Sequence, residues 1–225
     1  MYIIQAAGII DLSEAQMLMD LGVHYLGFPL RLPVNKEDLT EEEATEVIKN
    51  IHAPYKAVLI TYLDDAEEII KFCDKLNVTV VQLHGKIETV QLQKLKSNRP
   101  DIEVIKSLVI TGSNLNELEN VIAENSNWID LYITDTFDPE TGASGATGKT
   151  HDWNISKRLI ELSPKPVILA GGLNHENVRE AILTVKPFGV DVHTGIEAAD
   201  GRKDYNKTKK FIEETRRAYK ILENP

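Results

Sequence analysis

Cysteine is nearly absent from this chain. Its 225 residues include one cysteine, Cys73, which excludes an internal disulfide and a cysteine-rich metal site. The six histidines include no pair at HxH or HxxxH spacing, so we predict no metal site. We expect no cofactor either.

Long apolar runs and excess positive charge are also missing. No apolar run approaches the roughly 18–20 residues of a membrane span, and Met1 leads into a predicted strand rather than a signal peptide. Lys and Arg number 25 against 35 Asp and Glu, a formal net charge of -10. The basic residues are scattered, which argues against a nucleic-acid surface. We therefore expect a cytoplasmic protein without nucleic-acid or membrane partners, although a small anion needs only local donors.

What the chain does have is a regular alternation of β-like and helical segments. The predicted strands are 2–8, 24–30, 55–61, 78–84, 102–110, 128–136, 166–171 and 189–193. The predicted helices are 12–21, 40–51, 64–76, 87–95, 115–123, 155–162, 176–183 and 205–222. About eight strand-then-helix units, in a length near the ~250 residues typical of the fold, predict a single (β/α)8 TIM barrel domain, of class α/β. A doubly wound sheet is the competing fold, but Gly8 is not part of a GxGxxG sequence.

Local signals support several of these helices. Ser13 is a candidate N-cap of the first, while Thr40 with Glu43 predicts a capping box on the second. Cys73 falls on the apolar face of the third helix, so we predict that its thiol is buried and unreactive.

The segment 128–153 carries the clearest sign of function. A buried strand ends on the carboxylate of Asp135 and opens into a loop rich in glycine, with Lys149 nearby. Glycines at 142, 145 and 148 allow the backbone to approach a ligand and to point N–H groups at an anion. Asp138 competes with Asp135 as the functional acid, although Asp138-Pro139 is also typical of a turn.

In a barrel, function is located on the loops that follow the strands. The last two such loops are Ala170-Gly171-Gly172 and His193-Thr194-Gly195, an arrangement that fits a phosphate held by backbone N–H groups. Paired glycines after a strand also make ordinary tight turns. Two such loops in the correct order favour the phosphate site.

Two further strand ends carry titratable side chains. Lys106 ends an apolar strand, where an unpaired buried ammonium is costly, so we expect it to point at an anion or a carboxylate. His84 ends the fourth strand, and a single histidine there is as compatible with packing as with catalysis.

Five segments together resemble the phosphoribosylanthranilate isomerase family, the (β/α)8 enzyme of tryptophan biosynthesis. They are VQLHG at 81–85, GATGKTHDW at 145–153, ILAGGL at 168–173, GVDVHTGIE at 189–197 and GRKD at 201–204. The matches run through nearly the whole chain in order. Five matches in sequence are far more specific than any one of them.

The resemblance implies an Amadori rearrangement of an aminoaldose phosphate to an aminoketose. Two catalytic groups are implied: an aspartate ending strand six as general acid, which is Asp135 here, and a cysteine ending strand one as general base. That cysteine is Ala7 in this chain, because the family's KICGIT is replaced by QAAGII at 5–10. Gln5 thus replaces a lysine, and His193 replaces a serine. Arg31 is the candidate for the arginine that binds the anthranilate carboxylate.

Three functions are compatible with these residues. The first is an isomerase in which another group acts as the base. The second is an aldolase or epimerase acting on a different sugar phosphate, with Lys106 or His84 central, and the third is a phosphate-binding barrel without catalysis. The resemblance favours the isomerase, with Asp135, Lys106 and His84 as candidate catalytic residues. We expect a small phosphorylated sugar as substrate, and a monomer or homodimer. The candidate substrate and phosphate contacts are Arg31, Gly148, Gly171, Gly172, His193, Thr194 and Gly195.

Overall fold

The computed structural model describes residues 2–33, 38–137, 148 and 150–224. Within these residues eight strands alternate with eight α-helices. The strands are β1 Ile3–Ala7, β2 Tyr25–Pro29, β3 Lys56–Thr61, β4 Val80–Leu83, β5 Glu103–Ile110, β6 Leu131–Thr136, β7 Val167–Leu169 and β8 Gly189–Val192. The helices are α1 Leu12–Leu21, α2 Glu41–Ile48, α3 Ala66–Leu76, α4 Thr89–Asn98, α5 Leu115–Asn125, α6 Trp153–Leu162, α7 Val178–Val185 and α8 Tyr205–Glu223.

The strands form a closed parallel barrel in sequence order. β8 pairs with β1, in a register that places Asp191 beside Gln5 and Val192 beside Ala6. The (β/α)8 prediction is therefore confirmed, and the doubly wound alternative is wrong. None of the helices in the described part of the chain has the length and apolar character needed to cross a membrane.

Alternation along each strand produces two separate apolar cores, because successive side chains point to opposite faces. One core fills the barrel and includes Ala7, Val58, Ile105 and Ile168. The larger core lies between the sheet and the helices. Cys73 belongs to that outer core and is fully buried, as predicted. Burial raises the pKa of its thiol to about 12.

The helix caps match one prediction and correct another. Thr40 and Glu43 form the predicted capping box on α2. Ser13 does not cap α1, because it lies inside the first turn. Asp11 is the cap instead, and its carboxylate accepts a hydrogen bond from Glu14 N at 2.8 Å.

Candidate active site

Asp135 and His84, two of the predicted catalytic residues, meet at the C-terminal end of the barrel. Asp135 is the penultimate residue of β6, and His84 directly follows β4. His84 Nε2 lies 3.9 Å from Asp135 Oδ2, while His84 Nδ1 lies 2.9 Å from Ser107 Oγ on β5. The histidine ring is thereby positioned between a hydroxyl and the carboxyl group.

Asp135 lies in surroundings that favour its protonated form. Burial raises the pKa of this carboxyl, and the effect is opposed in part by His84 and by the backbone N–H of Thr136. That N–H donates to Oδ1 at 2.7 Å. The side chain keeps 13% of its surface accessible, so a molecule entering the mouth of the barrel can reach it. A reachable acid with a raised pKa is suited to proton donation.

A line of polar side chains crosses the barrel just below this pair. Gln5 Nε2 on β1 donates to Gln82 Oε1 on β4 at 2.7 Å. Gln82 Nε2 donates in turn to Ser107 Oγ at 3.4 Å, which connects the line to His84. Gln5 is the residue that replaces the lysine of the resembling family.

Asp191 on β8 is a second carboxyl in this polar layer, and sequence reasoning missed it. Burial raises its pKa to about 7 and the charge of Asp135 adds to that rise, whereas Gln5 and Lys203 lower it. Its Oδ1 is out of contact with solvent and has no hydrogen-bond partner among the described residues. An acid in the middle of a buried strand is costly unless it is paired. An aspartate between two valines of a predicted strand, as in VDV at 190–192, could therefore have been recognised as a candidate functional residue.

The loops after β7 and β8 are in direct contact, as the phosphate prediction requires. A Cβ atom built on Gly195 would lie 1.9 Å from the carbonyl oxygen of Leu173. One built on Gly148 would lie 3.5 Å from Thr194 Oγ1, so the end of the β6–α6 connection meets the same loop. Gly171 and Gly172 both have positive φ, at 100° and 62°. Only a residue without a side chain adopts such angles readily.

His193 lies at the mouth beside the first strand. Its ring packs on Gly8, where an added Cβ would fall 2.2 Å from His193 Nε2. The same nitrogen lies 3.4 Å from Glu197 Oε1, and Glu197 also pairs with Lys203 Nζ at 2.7 Å. Burial, with the nearby Lys203 charge, lowers the His193 pKa to about 3. The ring is therefore neutral at ordinary pH.

His151, another position that sequence reasoning did not select, connects β6 to α6. Its Nδ1 lies 2.8 Å from Thr136 Oγ1, and its Nε2 lies 2.5 Å from Ser156 Oγ. A Cβ on Gly171 would lie 2.2 Å from the same Thr136 oxygen. The end of β6 is therefore fixed against both α6 and the β7 loop.

Lys106 is not brought into this cluster. Ser107 faces His84 inside the barrel, so its neighbour Lys106 points to the opposite face of β5. Lys106 Nζ donates to the carbonyl oxygens of Leu83 at 3.2 Å and Ser107 at 2.9 Å. The expectation that Lys106 points at an anion or a carboxylate is therefore wrong. Backbone carbonyl oxygens near the strand ends accept its hydrogen bonds instead. Burial lowers the Lys106 pKa to about 8.

Arg31 is held by residues of two helices. Its Nε lies 2.8 Å from Glu41 Oε1 on α2, and its guanidinium carbon lies 3.8 Å from the centre of the Phe72 ring on α3. The structure places this part of the β2–α2 loop against the helices. The predicted contact with a substrate carboxylate stays a prediction.

The glycine-rich loop falls mostly outside the described residues. Asp138, Lys149 and the glycines at 142 and 145 are not among the described residues. The structure therefore shows the surroundings of Asp135 but not those of its competitor Asp138. Among the described residues no group of three or more His, Cys, Asp or Glu side chains is arranged to hold a metal ion.

Comparison with known proteins gives a consistent result. The family model for N-(5'-phosphoribosyl)anthranilate (PRA) isomerase matches residues 4–214. N-(5'-phosphoribosyl)anthranilate isomerase 2 of Methanosarcina mazei is 34% identical, over 93% of this chain and 92% of that protein. The isomerase of Aquifex aeolicus is 33% identical, over 95% of this chain and 98% of its own length.

Solved structures agree with the sequence comparison. Phosphoribosyl anthranilate isomerase from Thermotoga maritima superimposes with a TM-score of 0.80 at 28% identity, covering 96% of this chain and 99% of that one. A second crystal structure is that of a phosphoribosyl anthranilate isomerase in complex with reduced 1-(o-carboxyphenylamino)-1-deoxyribulose 5-phosphate. It gives a TM-score of 0.78 at 25% identity, with the same coverage of 96% and 99%.

Proposed function

The chain belongs to the N-(5'-phosphoribosyl)anthranilate isomerase family, and we propose that its barrel mouth carries out the aldose–ketose isomerisation of that family, a step of tryptophan biosynthesis. The substrate is N-(5'-phosphoribosyl)anthranilate. The observation that carries the proposal is the pairing of Asp135 with His84 at the strand ends, because it places a carboxyl of raised pKa where a substrate can reach it.

Asp135 acts as the general acid. It gives its proton to the ring oxygen of the aminoaldose while the C1–O bond breaks, and the nitrogen lone pair forms a C1=N bond. Burial supports this role because it raises the pKa of the Asp135 carboxyl and so keeps more of it in the protonated form that can donate. His84, 3.9 Å away, stabilises the carboxylate left after the transfer.

The second step removes a proton from C2. The electron pair of the C2–H bond forms C1=C2, and the pair of the C1=N bond returns to nitrogen, which leaves a neutral enol-amine. When the enol becomes a ketone, the hydroxyl proton is lost and C1 gains a proton. The product is therefore an isomer of the substrate, and no co-reactant is consumed.

The phosphate of the substrate binds between the loops after β7 and β8. Backbone N–H groups near Gly171, Gly172 and Gly195 supply the donors, since the Lys203 ammonium nearby is already paired with Glu197. Thr194 and Gly148 meet beside the same space. His193 Nε2 faces Glu197 at 3.4 Å, so this ring N–H is not counted among the phosphate donors.

The rival enzyme chemistry has less support. An aldolase using a Schiff base at Lys106 would need that ammonium at the mouth, whereas Lys106 bonds to carbonyl oxygens on the outer face of β5. The proposed setting is the cytoplasm, with the protein as a monomer or homodimer.

The deciding experiment is direct turnover of N-(5'-phosphoribosyl)anthranilate by the purified protein, together with growth of a strain that lacks the isomerase. The wild-type chain should convert the substrate and restore growth without added tryptophan. Asp135→Asn should lose about 10²–10⁴-fold in kcat, the usual contribution of a positioned acid. Asp20→Asn, on the exposed face of α1, is the matched control and should behave as wild type. Absence of both turnover and growth with the wild-type chain would refute the proposal.

A further inference from the structure

We propose that the Asp191 carboxylate is the general base that removes the C2 proton, in place of the thiol that Ala7 does not provide. This inference rests on the proposed function. It adds a catalytic residue that neither the sequence pattern nor the comparisons assign.

The position of Asp191 suits a base acting opposite Asp135. β8 is the neighbour of β1 in the closed barrel, and Asp191 pairs in register with Gln5, one inward-facing layer below Ala7. The methyl group of Ala7 is shorter than the missing side chain, so C2 of the substrate can sit closer to that layer. An ionised Asp135 raises the Asp191 pKa, so the two carboxyl groups favour a state in which only one of them is ionised.

Asp191 also has an unused acceptor. Its Oδ1 has no hydrogen-bond partner in the described part of the chain, and neither has Gln5 Oε1 beside it. A buried carboxylate oxygen without a donor raises the free energy of the charged form. Protonation of the carboxyl by the substrate relieves that cost; because Oδ1 is buried, the proton goes to the other oxygen, Oδ2, of this partly exposed residue.

The substitution at position 5 explains why this carboxyl has the strength of a base. A lysine at position 5, as in the resembling family, would hold Asp191 as an ion pair with a low pKa and make it a weak base. Gln5 is neutral, and burial, the largest cause, raises the Asp191 pKa to about 7 although a hydrogen bond with Gln5 lowers it in part. A base is most effective when its pKa lies near the working pH. The loss of the lysine thus compensates for the loss of the thiol.

Among the described residues, the charged side chains that act on Asp191 are Asp135, at the end of β6, and Lys203, in the segment before α8. His84 Nε2 lies 3.9 Å from Asp135 Oδ2. His193 is the rival base, but its pKa is lowered to about 3 and its Nε2 faces Glu197 at 3.4 Å. An imidazole of that pKa takes up a proton poorly at neutral pH.

The proton transfer balances within the two carboxyl groups. Asp191 begins ionised and accepts the C2 proton, while Asp135 begins protonated and gives its proton to the ring oxygen. After the product leaves, the proton on Asp191 returns to Asp135 directly or through water. No oxidant, reductant or further substrate is required.

The first test compares kcat and its pH dependence in the wild type and in Asp191→Asn. We expect Asp191→Asn to lower kcat by about 10²–10⁴-fold with little change in KM. Gln5→Lys should move the acidic limb of the kcat/KM profile well below pH 7, because the added ammonium keeps Asp191 ionised. Asp130→Asn removes a partly buried carboxyl at the opposite end of the barrel and should leave the profile unchanged.

A rescue experiment separates a base from a merely structural residue. Adding Ala7→Cys to Asp191→Asn should recover at least tenfold in kcat and move the acidic limb toward pH ~8.5, the ordinary pKa of a thiol. A structural defect would not respond to a thiol on another strand. If Asp191→Asn keeps wild-type kcat, or if Gln5→Lys leaves the limb in place, Asp191 is not the base. Active wild-type protein would still support the isomerase function, whereas inactive wild type would refute both.

Discussion

Both ends of the barrel contain titratable side chains, but the partners of those side chains differ. At the N-terminal end, Tyr25 Oη donates to Glu103 Oε1 at 2.7 Å, and Lys56 Nζ contacts the same carboxylate at 2.5 Å. At the C-terminal end, Asp135 and Asp191 both have raised pKa values, and the orphan Asp191 oxygen accepts no hydrogen bond from any described residue. The first end pairs its charges, whereas the second leaves them partly unsatisfied.

This difference in charge pairing shows at which end of the barrel the fold contains destabilising groups. A cavity of about 630 Å³ opens at the N-terminal end, lined by Tyr2, Ile3 and Phe188 among others, yet its neighbouring charges Lys56 and Glu103 are paired. Raised carboxyl pKa values at the other end lower stability but make proton transfer efficient. We therefore expect the paired end to contribute stability and propose that the chemistry takes place at the other end, as is usual for this fold.

The largest expected effect is a gain of stability when Asp191 loses its charge. Its pKa of about 7 lies above the unfolded value of 3.8, so the folded chain holds a proton there between pH 4 and 7 while the unfolded chain does not. The cost of the ionised carboxyl is absent below pH 4 and reaches about 4 kcal/mol above pH 7. Asp191→Asn should thus be more stable than wild type at pH 8 and equal to it near pH 4.

Urea denaturation at several pH values measures this difference directly. His151 and His193, whose lowered pKa values act in the opposite direction as the pH falls, occur in both proteins and cancel in the difference. If wild type and Asp191→Asn had equal free energies of unfolding at every pH, the ionised Asp191 carboxyl would not destabilise the fold. The contrast between the two ends would then disappear.

The fold could be predicted from sequence because each element carries its own signal. The strand expected at 2–8 is Ile3–Ala7, and the helix expected at 12–21 is Leu12–Leu21. The meeting of Asp135 and His84 was also predictable, since the C-terminal ends of parallel strands converge on one face.

Two parts of the site were not predictable from local pattern. Strands of a parallel barrel are buried on both faces, so the sequence does not reveal which of Lys106 and Ser107 points inward. The surroundings that set the Asp191 pKa depend on the pairing of β8 with β1, which brings Gln5 beside Asp191. That pair joins residues from the two ends of the chain, and only closure of the barrel defines it.

The next largest effect concerns the phosphate loop. Gly172→Ala adds a methyl group where the backbone must approach the anion, and we expect KM to rise about tenfold, about 1.4 kcal/mol, with little change in kcat. Gly112→Ala is the control, because Gly112 has a φ of 89° and open space around its Cβ position. Both variants should lose about 1 kcal/mol of stability from the left-handed backbone. A pure kcat effect in Gly172→Ala would contradict the phosphate assignment.

A smaller effect is expected at the paired end. Tyr25→Phe removes the hydroxyl that donates to Glu103 and accepts from Lys56 at 3.1 Å, and should cost about 1 kcal/mol of stability. Turnover should stay within twofold of wild type because the change is far from the mouth. Tyr205→Phe, at an exposed position on α8, should change neither quantity. A large loss of turnover in Tyr25→Phe would mean that the two ends are coupled.

The smallest effect is expected at Cys73, where the native thiol should not react with iodoacetamide. It is fully buried between the sheet and α3, and burial raises its pKa to about 12, so both access and the thiolate form are lacking. Unfolding in urea should expose one reactive thiol per chain. Ala7→Cys provides the contrast, because a thiol at the barrel mouth should be labelled in the native protein and shielded by substrate. Labelling of Cys73 in the native wild type would show that the helix layer opens. Solvent would then reach the core between sheet and helices as well as the two ends of the barrel.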